Sequence, residues 1–274
     1  MMKIFVLASG RSGTKFLTDL FRYNVKNCTC KHEPFPDMFG RPIYWYNKGE
    51  INKIRRLFYI KKLRINYSFG EVYIETNHAF LKSFCDVAME FFPDMKLIHL
   101  IRNPLKVAKS ELNRHLVIDK IHLPFRYYRK NGKKYFRWAL TWEEKIFQDI
   151  RHLDLTPYQK YIVQWIEIEN RAMRFLDKYN KHKDCFTLSV PEDINNPSVV
   201  KDLFDFLEVK LKRKNIYIKG RKNKTPGAKK TVVTEEDKAQ FREVVNNLPD
   251  KYLEIFKREP YIKLSWVKFL QKTT

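Results

Sequence analysis

Two short segments hold the residue types needed to grip a multiply charged anion. Gly10-Arg-Ser-Gly-Thr-Lys15 follows the apolar run Lys3–Ala8 and precedes Phe16, Leu17, Leu20 and Phe21, which recur at helical spacing. In a strand–loop–helix unit of this kind, small residues let the backbone curl until several N–H groups face one anion. The helix that follows adds the positive end of its dipole. The loop departs from the nucleotide-hydrolase pattern G-x-x-x-x-G-K-[ST], because Ala8 stands at the first glycine and Thr14 at the lysine. It reads as a phosphate-loop variant, and a plain tight turn between strand and helix would look similar from this loop alone. The second segment, Arg102-Asn-Pro-Leu-Lys-Val-Ala-Lys-Ser110, lies where the run Lys96–Ile101 hands over to a helix. An arginine at the carboxyl end of a strand points into the crevice that the first loop lines, and Ser110, two turns into the helix, reaches the same ligand. Together the two segments would grip two phosphates.

The composition suits such a ligand. Lysine plus arginine number 54 against 31 acidic residues, a net charge of +23 that draws polyanions, phosphorylated or sulfated ligands and acidic membrane surfaces. The 21 Phe, 15 Tyr and 5 Trp among 274 residues supply a core and weigh against extended disorder. No run approaches the roughly 18 apolar residues of a membrane span, and Lys3–Ala8 is too short for a signal-peptide core, so a soluble cytoplasmic protein is expected. Cys28, Cys30, Cys85 and Cys185 form neither paired Cys-x-x-Cys clusters nor a disulfide scaffold, so they read as reduced thiols, and no metal site is expected.

The elements that must position these residues follow an alternating rhythm. Val72–Thr76 reads as a strand and Ala79–Phe92 as a helix ended by Pro93. Lys96–Ile101 reads as a strand, with Pro104 in the first turn of the next helix. Tyr158–Tyr179 reads as a long helix, Cys185–Val190 as a strand and Pro197–Leu207 as a helix, with short amphipathic helices from Thr234 onward. Strands alternating with helices imply an α/β sheet of parallel strands, here taken as one domain over residues 1–274. Residues 41–70 and about 113–137 are rich in aromatic and basic residues without a clean period, and read as insertions at one edge of the sheet, on the ligand side.

With these residues in view, the chain resembles the sulfotransferases that use 3′-phosphoadenosine 5′-phosphosulfate (PAPS). G-R-S-G-T after the first strand is similar to their 5′-phosphosulfate loop, and R-N-P-x-x-x-x-x-S to their 3′-phosphate motif. Val190-Pro-Glu-Asp-Ile-Asn-Asn-Pro197 with Leu203-Phe-Asp-Phe-Leu207 is similar to the family's E-D-L…P…FL segment. The resemblance spans residues 4–207 and implies a three-layer α/β/α fold with a central parallel sheet, of the P-loop nucleotide-hydrolase-like kind. It also implies PAPS as donor and no required metal. Arg11 would stabilise charge on the leaving phosphate. Ser12, Gly13, Thr14 and Lys15 would supply backbone amides, and the Thr14 hydroxyl a contact to the 5′-phosphate. Arg102 and Ser110 would bind the 3′-phosphate. Gly220-Arg-Lys-Asn-Lys-Thr225 departs from the family's R-K-G form, and through it Arg221 and Lys222 stand as candidates for the late loop that closes over that phosphate.

Sulfuryl transfer, like phosphoryl transfer, runs through an in-line, loose transition state, so beyond positioning the protein must supply a base. Glu33, in Lys31-His-Glu-Pro34, stands where carbohydrate-type members carry G/H-E-P. His78, in Glu75-Thr-Asn-His78, stands where small-molecule members carry T-H. Glu33 is preferred, because the arginine form of the first loop goes with the carbohydrate-type branch. For the acceptor, Leu123–Lys130 and Tyr135–Trp138 mix aromatic faces with cations. This mixture would stack on sugars and pair with uronate, phosphate or sulfate, or else form a lid whose aromatics pack on themselves. The expected reaction is sulfuryl transfer to a hydroxyl or amine of a carbohydrate, glycolipid or related acceptor, with peripheral contact to acidic membranes left open and no nucleic-acid partner expected. A P-loop kinase and a non-catalytic polyanion-binding module are the alternatives.

Overall fold

The computed structural model describes residues 1–121, 124–218 and 232–270. Its centre is a five-stranded sheet in the order β2-β3-β1-β4-β7, with every pair parallel. The strands are β1 (Met2–Ala8), β2 (Cys28–His32), β3 (Val72–Thr76), β4 (Lys96–Arg102) and β7 (Cys185–Val190). A separate antiparallel hairpin joins β5 (Tyr127–Lys130) to β6 (Lys133–Phe136). β1 sits between β3 and β4, so the loops leaving the carboxyl ends of these three strands share one rim of the sheet.

Side chains of successive strand residues take opposite faces, and each face has its own helical layer. Ile4, Val6 and Ala8 pack with Leu17, Leu20 and Phe21 of α1 (Thr14–Asn24) and with Val200, Leu203 and Phe204 of α8 (Pro197–Phe206). Phe5, Leu7, Leu97 and Ile101 face a larger layer. That layer comprises α3 (Ile51–Asn66), α4 (Cys85–Phe91), α5 (Pro104–Lys120), α7 (Pro157–Lys178) and α9 (Glu235–Asn247). With one helical layer on each face, the arrangement is three-layered around a parallel sheet: the alternating sequence implies the parallel α/β sheet and the resemblance implies the three layers. Among the described residues, no helix is long and apolar enough to cross a membrane.

Helix starts follow local chemistry. The Asn103 side chain accepts from the amides of Leu105 (3.0 Å) and Lys106 (3.4 Å), with Pro104 in the first turn of α5. Thr156 and Gln159 form a capping box at α7. α1 is different: its N-cap is Gly13 in the left-handed region (φ 91°), and no side chain caps it.

The structure departs from the sequence reading at four places. Cys28–His32, unassigned in the sequence, is an edge strand paired to β3. Residues 41–70 contribute α2 (Arg41–Asn47) and α3 to the packed layer, with Ile43, Ile54, Phe58 and Ile65 fully buried. Their period was masked because Lys61 is buried among them, neutralised by Glu75 at 2.7 Å, with the Tyr73 hydroxyl donating to the same carboxylate at 2.9 Å. Residues 113–120 continue α5, leaving the hairpin as the true excursion. The helix expected over Ala79–Phe92 opens with a π-helical turn, Phe80–Phe84, before α4. The remaining helix, α6 (Lys145–Asp149), is short and packs on α7.

The entry to β2 and β3 is set by Gly70. Its φ is +106°, and a β-carbon there would lie 2.2 Å from the backbone oxygen of Asn27, which accepts from the amides of Glu71 and Val72. Gly70→Ala is expected to lower stability by about 2–4 kcal/mol through backbone strain and loss of these bonds. Urea denaturation measures this directly, and a loss below about 0.5 kcal/mol would contradict the assigned geometry.

Candidate active site

The carboxyl rim of β1 and β4 brings the two candidate anion-binding segments together. The Arg102 guanidinium, at the end of β4, donates to the backbone oxygen of Arg11 at 2.5 Å. Arg11 Nε donates to Ser110 Oγ on α5 at 2.9 Å. Arg11, Arg102 and Ser110, separate in sequence, therefore meet at one point. Arg11 holds φ at 63°, unusual for a residue with a side chain, and Gly13 follows at 91°, so the loop is wound tightly ahead of α1. Ser12 is fully buried, and its hydroxyl is 2.7 Å from that of Ser9, which fixes the curl from inside. Thr14 is buried, and its carbonyl accepts from Thr18 Oγ1. Lys15 turns along the helix toward Asp19, 3.7 Å away. The uncapped start of an eleven-residue helix, joined to a wound loop and two arginines, has the donors and positive charge with which an anion could be held. Arg221 and Lys222 lie outside the described residues.

Gly10 lies close against the Glu111 carboxylate. A β-carbon at this position would meet Glu111 Oε1 at 1.9 Å and His78 Cε1 at 3.6 Å. The loop thus touches a buried polar cluster that holds both candidate bases. Glu33 follows β2 directly, with φ at 48°. Its amide donates to the Thr76 carbonyl at 3.4 Å, and the preceding His32 places Nδ1 3.0 Å from the same carbonyl. His78 Nε2 lies 3.4 Å from Glu33 Oε1, so the two residues treated as rivals in the sequence form one pair. The loop after Glu33 is pinned from two elements: Asn77, just past β3, donates to the Asp37 carbonyl at 3.0 Å, and buried Lys61 of α3 donates to the Pro34 carbonyl at 3.2 Å.

Burial governs the charges here. It pushes the Glu33 carboxyl up to about 7, against the opposing attraction of Arg114, while Asp37 and Glu111 add to the rise and Lys82 opposes it. His78 is held well below the usual imidazole range by burial first and then by the positive charges of Lys82 and Arg114, so it is neutral near pH 7. Lys82, fully buried, is brought down to about 7 by the same desolvation. Its ammonium lies 3.2 Å from His78 Nδ1 and donates to the Trp138 carbonyl at 2.6 Å. Glu111 forms an ion pair with Arg114 one turn along α5. Burial also lowers Arg11, partly offset by Glu111.

Lys82, Glu111, Arg114 and His32 were not singled out in the sequence. Lys82 follows His78 by four residues, and Arg114 follows Ser110 by four. That helical spacing from a candidate residue is the signal available for both. Glu111, adjacent to Ser110, carries no such signal.

The aromatic–basic segments resolve into packing and charge. Tyr135 and Phe136 of the hairpin are buried, with Phe136 stacked on His115 of α5 at 4.4 Å and His115 Nδ1 2.9 Å from the Tyr161 hydroxyl of α7. Most of these aromatics therefore seat the hairpin. Cations gather at its base, where the guanidinium carbons of Arg114 and Arg126 each lie 4.6 Å from the Trp138 ring centroid and that of Arg137 lies 5.9 Å away.

In three-dimensional comparison the chain is similar to the crystal structure of a sulfotransferase from Alicyclobacillus acidocaldarius, at 17% identity over 98% of this chain and 99% of that one, with a TM-score of 0.49. It is also similar to the sulfotransferase domain from the curacin biosynthetic pathway, at 14% identity over 76% of this chain and 74% of that one, with a TM-score of 0.40. No family model and no curated protein matches the sequence.

The raised carboxyl has a consequence for stability. Between its ordinary value of 4.5 and about 7, the folded protein binds a proton at Glu33 that the unfolded chain has released. Stability is therefore drawn down as pH rises through this window, and the penalty is full above pH 7. Glu33→Gln removes it. The variant is expected to gain on the order of 2 kcal/mol over wild type at pH 8 and almost nothing at pH 4. Denaturant titrations at the two pH values check this, and an equal effect at both would refute the buried, protonated carboxyl.

Proposed function

We propose that the chain is a sulfotransferase that moves a sulfuryl group from PAPS to a hydroxyl or amine of a carbohydrate, glycolipid or related acceptor. The observation that carries the reading is the meeting of the Gly10–Lys15 loop, Arg102 and Ser110 at a point that also adjoins Glu33 and His78. Two anion-gripping motifs from different strands and a base with a raised pKa are the parts that such a transfer needs, and the motifs resemble those of the PAPS-dependent family in kind and order.

The donor brings the sulfuryl group and a bisphosphate leaving group. In this reading the wound loop and the start of α1 hold the 5′-phosphosulfate, and Arg102 and Ser110 hold the 3′-phosphate. Arg11 lies between the two and meets negative charge as it grows on the leaving oxygen. Its Nε is held by Ser110, which keeps the guanidinium from swinging away. Glu33 takes the acceptor proton. A carboxyl pushed up to about 7 is a stronger base than an ordinary glutamate and is still substantially ionised near neutral pH. His78, neutral and 3.4 Å away, steadies the carboxylate or shares the proton. Lys82 anchors the other ring nitrogen of His78, making it a positioning residue.

Calorimetry with 3′,5′-adenosine bisphosphate tests the donor site. Micromolar binding without metal is expected, and Arg102→Ala should weaken it by tenfold or more. Binding of Mg-ATP with none of the bisphosphate would reverse the assignment in favour of a kinase. With labelled donor and a screened acceptor, Glu33→Gln should cut kcat by about a hundredfold or more and leave bisphosphate affinity within twofold. In wild type, kcat/KM should fall as pH drops below about 7, following protonation of the free-enzyme carboxylate. If His78→Ala shows the large kcat loss while Glu33→Gln is near wild type, the base is His78.

A further inference from the structure

We infer that the acceptor carries an oxyanion, a carboxylate or a sulfate ester, close to the group that is sulfated, and that Arg126 binds it with Arg114 and Arg137 around Trp138. The inference rests on the sulfotransferase reading for the word acceptor, but the site itself is read from the side chains.

Three guanidinium groups surround one indole ring. Two of them have carboxylate partners: Arg114 pairs with Glu111, and Arg137 pairs with Asp37 at 2.6 Å. For the half-buried Arg126, no carboxylate lies within ion-pair distance among the described residues, and its charge rests on the rings of Phe125 and Trp138, each 4.6 Å away. The Nε atoms of Arg114, Arg126 and Arg137 are all shielded from solvent without a hydrogen-bond partner. Arg126 is thus the guanidinium of the three without a close carboxylate, and with the unfilled Nε donors it leaves a place that one singly charged oxyanion would fill. Guanidinium forks suit the paired oxygens of a carboxylate or sulfate ester better than ammonium groups would.

Electrostatics agrees with the geometry. Arg126 is held below the usual arginine range by burial, then by repulsion from Arg137 and Arg114, with Asp37 and Glu33 acting the other way. An incoming anion would relieve that repulsion. Glu33 and Arg114 also interact, which puts the cluster beside the carboxylate that accepts the proton. The Trp138 ring is already covered by cations, so charge governs recognition here rather than sugar stacking on the indole.

The test uses the full chain with saturating 3′,5′-adenosine bisphosphate, so that a charged probe does not simply enter the donor loops. A heparin-derived tetrasaccharide, bearing both uronate and sulfate, is titrated against neutral maltotetraose. The charged probe should bind at least tenfold more tightly. Arg126→Gln should lower its affinity about tenfold while leaving bisphosphate affinity and the melting temperature near wild type. Arg126→Lys, which keeps the charge and loses the fork, should recover only part of the loss. Arg56→Gln, on the exposed face of α3, controls for the overall positive charge and should change little. Equal binding of the two probes, an unaffected Arg126→Gln, or an equal loss in Arg56→Gln would each overturn the inference. If the bisphosphate does not bind at all, the sulfotransferase reading fails, while the same comparison without it still reports on the arginine cluster. Desulfated and carboxyl-reduced forms of the tetrasaccharide then separate the two oxyanion sources.

Discussion

The hydrogen bond from the Arg102 guanidinium to the backbone oxygen of Arg11 is the contact on which the site depends. β1 and β4 are adjacent parallel strands, so their carboxyl ends meet at the rim whatever loops they carry. Adjacency alone would leave the Gly10–Lys15 loop free to take many shapes. The bond closes the loop onto the neighbouring strand, and Arg11 Nε, bonded to Ser110, closes it onto the following helix. The left-handed backbone at Arg11 costs on the order of 1 kcal/mol, and these two charge-assisted bonds offset it. The two bonds therefore hold the loop, the end of β4 and α5 at a fixed separation.

The same closure forces ionisable groups into the interior. Glu111 follows Ser110 in α5, and its carboxylate is brought against Gly10, where any side chain would displace it. Once there, it needs Arg114. Arg114 in turn lowers the proton affinity of Glu33, while Lys82 adds to the positive charge around His78. Burial opposes the charged forms of Glu33 and Lys82, which both move to about 7 from opposite directions. A buried ion cluster is poor value for stability compared with apolar packing of equal volume. What it gives is a carboxyl whose proton is neither tightly held nor fully lost near neutral pH.

Much of this was legible in the sequence where local pattern and tertiary outcome coincide. β1 and β4 are apolar runs with their middles in the core, β3 and β7 carry enough apolar residues to read as strands, and the glycine and serine spacing of the first loop is a backbone requirement visible in residue types. β2 was not legible. Cys28-Thr-Cys-Lys-His32 is short, half polar and on a sheet edge, so neither alternation nor apolar content marks it, and only pairing with β3 makes it a strand. Its absence also obscured how Glu33 reaches the site, since the residue follows a strand end rather than a helix. α3 escaped because Lys61 occupies a core position through its pairing with Glu75, which breaks the apolar stripe. The hairpin did carry a usable signal: Asn131-Gly132, both at positive φ, is the dipeptide that a tight two-residue turn demands. The Glu33–His78 pair lay beyond sequence reasoning, because it is created by β2 and β3 lying side by side.

The charge excess of +23 acts at two distances, and the distances separate its effects. Cations on the exposed face of α3 and other surfaces act through solvent, where salt screens them beyond about 8 Å at physiological ionic strength. They raise the encounter rate with anionic molecules and discriminate little among them. Arg11, Arg102, Arg114, Arg126 and Arg137 are partly withdrawn from water and held against carbonyls, carboxylates and an indole, so screening reaches them less. Any selectivity among anions would come from this inner group, since only there does a misplaced or missing charge leave a donor unsatisfied at short range. On the proposed reading, the outer charge would gather anionic candidates and the inner arginines would select among them, because desolvating a guanidinium is offset only by an oxyanion of the right shape in the right place.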